Sequence, residues 1–157
     1  MPKVFLTLVL CLAAGGALAE PPAPWGRATE RQVDYQPNKV VYDVVVRDAA
    51  GMETLLDRVS YLSVLYEADP FESSIVLVLH GEAIHLFARK NYAQHRDLMT
   101  RAQSLTVGTT IEFRMCQLAA QSLGYTPGDI HGFVQMVPMA DAELVRLQAE
   151  EGYAYMQ

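Results

Sequence analysis

The sequence predicts an α/β fold: a single three-layer domain with a mostly parallel sheet of about five strands flanked by helices. Three observations carry this. Short β-branched, apolar runs alternate with segments of helical spacing from residue 39 to the C-terminus. The run Ile75-Val76-Leu77-Val78-Leu79 is apolar without interruption, as in a strand buried on both faces. Pro70, Gly108, Gly124 and Gly152 punctuate the junctions.

Residues 39–46 form the first predicted strand, rich in valine. Residues 51–68 carry Met52, Leu55, Leu56, Val59, Leu62 and Tyr66 at helical spacing, with Glu53, Asp57 and Arg58 mostly on the opposite face. The second strand, 74–79, ends at His80-Gly81-Glu82, and a short helical turn follows over 83–88. Residues 91–105 read as a helix with Tyr92, His95, Leu98 and Met99. Residues 109–115 form the third strand, and Cys116 follows it at once. Residues 117–123 make a short helix stopped by Gly124, and Thr126-Pro127-Gly128-Asp129 is a turn. The fourth strand covers 133–137. Asp141 is the expected N-cap of a last helix that runs to about residue 150. Gly152 ends it, and residues 153–156 add a short final strand.

The N-terminus reads differently. Lys3 precedes an apolar run over 4–12, then small residues from 13 to 19. Glu20, Pro21, Pro22 and Pro24 follow. This is the pattern of a secretory signal, with cleavage expected after Ala19. The run is shorter than the ~20 residues a membrane span needs. Residues 20–38 are polar and contain proline, as in a linker or surface arm, and 39–157 form the domain. Cleavage would remove Lys3 and no acid, moving the net charge from -6 to -7. An acidic domain repels phosphate, which argues against a nucleic-acid partner. No later segment is apolar enough to cross a membrane.

Of two cysteines, Cys11 would leave with the signal and Cys116 would remain. One thiol forms no intramolecular disulfide, so any disulfide it makes is mixed or between subunits. Cys116 lies where a strand meets the start of a helix, whose unpaired N–H groups favour a thiolate. Arg114, two residues earlier, shares its strand face and is expected to add positive charge. Ligands in parallel α/β sheets collect at the carboxyl ends of strands, and both His80 and Cys116 fall there. His80 is a candidate to orient or deprotonate the reacting group, or simply a histidine bonded to backbone. His85 and His131 are further candidates which, with Cys116, would suit zinc or copper. Their spacing matches no standard ligand motif, so neither a metal nor another cofactor is expected. No glycine-rich phosphate loop and no serine nucleophile elbow is present.

From residue 39 onward the chain resembles the DsrE/DsrF-like family of sulfur-relay proteins. Val78-Leu79-His80-Gly81-Glu82, Phe113-Arg114-Met115-Cys116 and the closing segment 137–155 carry the resemblance. It implies a compact α/β fold, assembly as trimers or hexamers, and a persulfide on the cysteine that Cys116 matches. It implies sulfur-donor and sulfur-acceptor proteins or small thiols as partners. The better-known relay members are cytoplasmic, whereas this chain carries an export signal. The expectation is a periplasmic sulfur carrier or sulfurtransferase-like protein. The alternatives are a metal- or ligand-binding oligomer that is no enzyme, with His80, His85 and Cys116 as its shared site, and a structural oligomer with an inert cysteine.

Overall fold

A computed structural model describes residues 24–108 and 110–157. The predicted signal, 1–19, and the first residue of the predicted third strand, Thr109, lie outside the described residues. Asp34–Gln157 form one compact unit, and residues up to Val33 belong to another. Residues 24–38 contain neither helix nor strand.

The larger unit is an α/β fold. Its elements are β1 (Lys39–Val44), α1 (Ala49–Leu65), β2 (Ser74–Leu79), α2 (Ala83–Leu86), α3 (Arg96–Leu105), β3 (Ile111–Cys116), α4 (Gln117–Ser122), β4 (Val134–Val137), α5 (Ala140–Glu151) and β5 (Ala154–Met156). The sheet order is β4-β3-β2-β1-β5, and every pairing is parallel. Parallel strands need crossovers, and the helices supply them.

The two-residue period divides each strand between two cores. Val40, Tyr42, Val44, Ile75, Leu77, Leu79, Ile111, Phe113 and Met115 face α1 and α3. Val41, Val76, Val78 and Cys116 face Ala140, Leu144 and Leu147 of α5, together with Tyr153. Burying one such leucine or isoleucine fully contributes roughly 2 kcal/mol. The second face is covered by one long helix, so α5 decides what happens there.

Several boundaries differ from those read in the sequence. β1 stops at Val44 rather than residue 46. α3 starts at Arg96, not residue 91, because residues 89–91 form a 3-10 turn. Asn91 there donates from Nδ2 to the His85 carbonyl at 2.8 Å, a side-chain bond that competes with helix. Asp141 is not the N-cap of α5. Met139 holds that position in extended conformation, and Asp141 and Glu143 occupy the first turn. Carboxylates there still favour the positive end of the helix dipole. Gly152 closes α5 in the left-handed region at φ 76°.

α1 ends three residues earlier than its apolar spacing suggests. Glu67 and Ala68 take φ of 56° and 49°, so the chain leaves the helix through two left-handed residues. Their N–H groups reach back to the carbonyls of Val64 and Ser63, at 3.0 and 2.8 Å. Each L-residue in this region costs about 1–2 kcal/mol. Ala68→Gly removes the Cβ conflict and is expected to raise stability by about 0.5–1 kcal/mol. A urea midpoint that stays in place or falls would contradict this account of the turn.

Candidate functional site

The parallel register brings the carboxyl ends of neighbouring strands into line. Val44 pairs with Leu79, Leu79 with Met115, and Cys116 with Val137. His80 follows Leu79, so it stands beside the end of β3. Parity does the rest. Asp43 shares a face with Val41, His80 with Val78, and Cys116 with Arg114. All lie on the α5 side of the sheet.

Cys116 is the last residue of β3 and the N-cap of α4. Its Sγ accepts a hydrogen bond from the Ala119 N–H at 3.4 Å. The residue is 5% exposed. It lies in a cleft of about 270 Å³ that His80, Leu118, Ala119, Met139 and Asp141 also line. Leu118 and Met139 are exposed, and they give the opening an apolar rim.

His80 is held from the far side. Its Nε2 lies 2.6 Å from Asp43 Oδ1, and the Tyr155 hydroxyl donates to Asp43 Oδ2 at 2.8 Å. The bond to Asp43 raises the Tyr155 hydroxyl above its ordinary value. Gly81, immediately after His80, takes φ 56° and turns the chain away at the rim.

Arg114 shares the face of Cys116, but its guanidinium is engaged by carboxylates. It donates to Glu112 at 2.8 Å and to Glu143 of α5 at 2.5 Å. Burial works against its charge, and the two carboxylates outweigh that, leaving it above its ordinary value. Glu143 also accepts from Arg146 at 2.9 Å, and Arg146 bonds Glu151. The network ties α5 to the middle of the sheet. β3 lies inside the sheet, between β4 and β2.

The remaining histidines go elsewhere. His85 Nδ1 is 2.8 Å from the Tyr125 hydroxyl. His131 packs against Tyr92 and Phe133, with centroids 5.5 and 5.9 Å away. It lines a separate cleft of about 320 Å³. Burial first, and then the charge of Arg89, hold its imidazole below the ordinary value. Among the described residues, no three His, Cys, Asp or Glu side chains gather as a metal ion would require. His80, His85 and Cys116 are therefore not assembled as one ligand set.

Sequence reasoning missed Asp43, Tyr155 and the part Glu143 plays. Asp43 had a signal of its own, as an acid inside an otherwise apolar strand. Tyr155 had none, since its role depends on β5 returning beside β1.

These features define a class: a parallel α/β protein with, among the described residues, one thiol and a carboxylate-held histidine at the rim of its sheet. The DsrE/DsrF-like family model matches residues 48–157, and the chain belongs to that family. The match begins at the N-cap of α1, so β1 and Asp43 lie before it. Among solved structures, the chain is similar to that of MTH1491, a protein of unknown function from Methanobacterium thermoautotrophicum. The TM-score is 0.53 at 21% identity, over 78% of this chain and 98% of that one. At that identity the likeness concerns the fold. No curated protein matches the sequence.

The network around Arg114 has a pH signature. Hydrogen bonding to Arg146 holds the Glu143 carboxyl below the carboxylate range; burial opposes this, and Arg114 adds to it. A carboxyl lowered on folding stabilises the fold fully above its unfolded value of about 4.3, and loses that contribution as pH falls below it. Glu143→Gln should therefore cost about 2 kcal/mol at pH 7, in the range for hydrogen bonds to charged groups. It should cost less at pH 3, as urea titrations at both values would show. Equal losses at the two values would exclude an ionised Glu143 as the source.

Proposed function

We propose that this chain is an exported, DsrE-like sulfur carrier that holds a persulfide on Cys116. The observation that carries the reading is the placement of its thiol. Cys116 stands at the carboxyl end of β3, in a cleft shared with His80, and the Ala119 N–H points at its sulfur. Membership of a family associated with sulfur relay supports it. The export part rests on the signal pattern over 1–19 and the lone remaining cysteine. Among the described residues no helix is long and apolar enough to cross a membrane.

The chemistry balances without a cofactor. The Cys116 thiolate attacks the outer sulfur of a sulfane donor such as R–S–S⁻ or thiosulfate. A Cys–S–S⁻ bond forms, the donor's sulfur–sulfur bond breaks, and R–S⁻ or sulfite leaves. An acceptor thiolate then attacks the outer sulfur, takes it as its own persulfide and releases Cys116 as thiolate. One neutral sulfur atom moves, and no external oxidant is consumed. Donor and acceptor are proteins or small thiols, and the site of action is the periplasm. A trimer or hexamer of this chain is the proposed assembly.

Incubation with thiosulfate or polysulfide should add one sulfur, about 32 Da, reversibly by reductant and only where Cys116 is present. Intact mass spectrometry of the exported protein beside Cys116→Ser reads this directly. Absence of any adduct with either donor would remove the carrier reading for those donors. The same spectrum tests export, since a chain cleaved after Ala19 begins at Glu20.

A further inference from the structure

Three groups on adjacent strands form a hydrogen-bonded row at the rim, and none of them is the thiol. Tyr155 on β5 bonds Asp43 on β1, and Asp43 bonds His80 at the end of β2. Both Asp43 oxygens are thus committed, one to each neighbour. A carboxylate accepts and does not donate, so the His80 nitrogen facing it carries the proton. That nitrogen is Nε2. Neutral His80 is then left with an unprotonated Nδ1.

We propose that Asp43, braced by Tyr155, is a positioning residue that sets the tautomer of His80 and leaves Nδ1 as the proton acceptor for the Cys116 cleft. The inference rests on the reading of Cys116 as the reacting thiol. In the step it serves, the Cys116 S–H bond breaks and the proton moves to Nδ1. Imidazolium and thiolate result, with Asp43 facing the imidazolium. The proton returns to the thiolate released by the donor or by Cys116 itself. Nothing is oxidised or reduced in this transfer.

The arrangement explains the placement of Asp43. It is an acid in a strand whose neighbours Tyr42 and Val44 are buried, and its side chain is 17% exposed. Such a group needs hydrogen-bond partners, and it finds them in His80 and Tyr155. Other charged groups also border His80. Asp141 of α5 lines the Cys116 cleft, and Arg47 and Glu82 line a second cleft of about 230 Å³ on which His80 borders. The test therefore compares variants instead of reading one curve.

Two readouts decide the matter on the full-length folded protein. The first is the pH dependence of Cys116 alkylation by iodoacetamide in wild type, His80→Gln, Asp43→Asn and Tyr155→Phe. His80→Gln should change the shape of the profile, and Asp43→Asn should change it in the same way. Both should slow alkylation at pH 7 by roughly tenfold, below the ~100-fold floor typical of positioned acid–base groups in full catalysis. Tyr155→Phe should slow it less. The second is the ¹⁵N imidazole spectrum of His80, in which the wild type should show the Nε2–H tautomer. An Asn at 43 can donate to Nε2, so Asp43→Asn should shift the population toward Nδ1–H. A wild-type Nδ1–H tautomer overturns the proposal even if Asp43→Asn fails to fold. So does an Asp43→Asn profile equal to wild type, or a His80→Gln profile equal to wild type. Alkylation needs no sulfur donor. A coupled alkylation profile without persulfide uptake would retain the positioning role and reject the carrier, and uptake with an uncoupled profile would do the reverse.

Discussion

Parallel strands that end at one rim, with side chains alternating between two faces, impose the constraint on which this structure depends. Neighbouring strands β5, β1, β2 and β3 carry Tyr155, Asp43, His80 and Cys116 on the same side. A shift of one residue in any pairing would turn that strand's contribution to the opposite face, into the core against α1 and α3. The same shift would move valines and leucines out of their packing. Hydrophobic burial therefore sets the register, and the polar groups at the rim inherit it. Their geometry is a by-product of the core.

The α5 side of the sheet is the thinner layer, and charge helps to close it. Arg114 lies under α5 with 14% of its side chain exposed, and Glu143 opposite it with 10%. Desolvating such a pair costs several kcal/mol for each ion, and good geometry with further hydrogen bonds has to offset it. Glu112 and Arg146 supply those bonds. The consequence for the site is indirect. Arg114 shares a face with Cys116, yet its charge is balanced by two carboxylates, so little net field remains for the thiol. Its clearer role is to fix α5 over β3 and so to shape the cleft that Met139, Ala140 and Asp141 help to line.

Much of this was legible in the sequence, for reasons that also mark the limits. β2 is uniformly apolar, and the strand boundaries 74–79 follow from composition alone. Cys116 and His80 follow directly after strand residues, so their place at the rim comes with the α/β assignment. Helix ends were less legible, because competing local bonds set them: the Asn91 side chain delays α3, and left-handed backbone at Glu67 and Ala68 shortens α1. The partners of Arg114 could not be read at all. Glu143 is 29 residues away, and only the docking of α5 brings it near. Asp43 and Tyr155 are 112 residues apart and meet because β5 adds beside β1. Local periodicity finds elements and their inner faces. It does not report which elements become neighbours, and the hydrogen bonds at this rim join neighbours of that kind.

A single thiol among the described residues narrows the chemistry further than its surroundings do. Without a second cysteine in the domain, Cys116 cannot release a bound sulfur or a mixed disulfide by internal attack. On the proposed reading of an exported carrier, every turnover ends on a thiol from another molecule or another copy of the chain. That thiol has to reach a residue that is 5% exposed, through an opening bordered by Leu118 and Met139. On that reading a small thiol suits the opening, and so does a cysteine on a protruding loop or tail. Once persulfidated, the outer sulfur stands about 2 Å farther out, a distance set by the sulfur–sulfur bond. Burial of the cysteine and delivery of its outer sulfur are thus compatible: the covalent extension carries the reactive atom toward the rim while the anchoring thiol stays under the cover of α4 and α5.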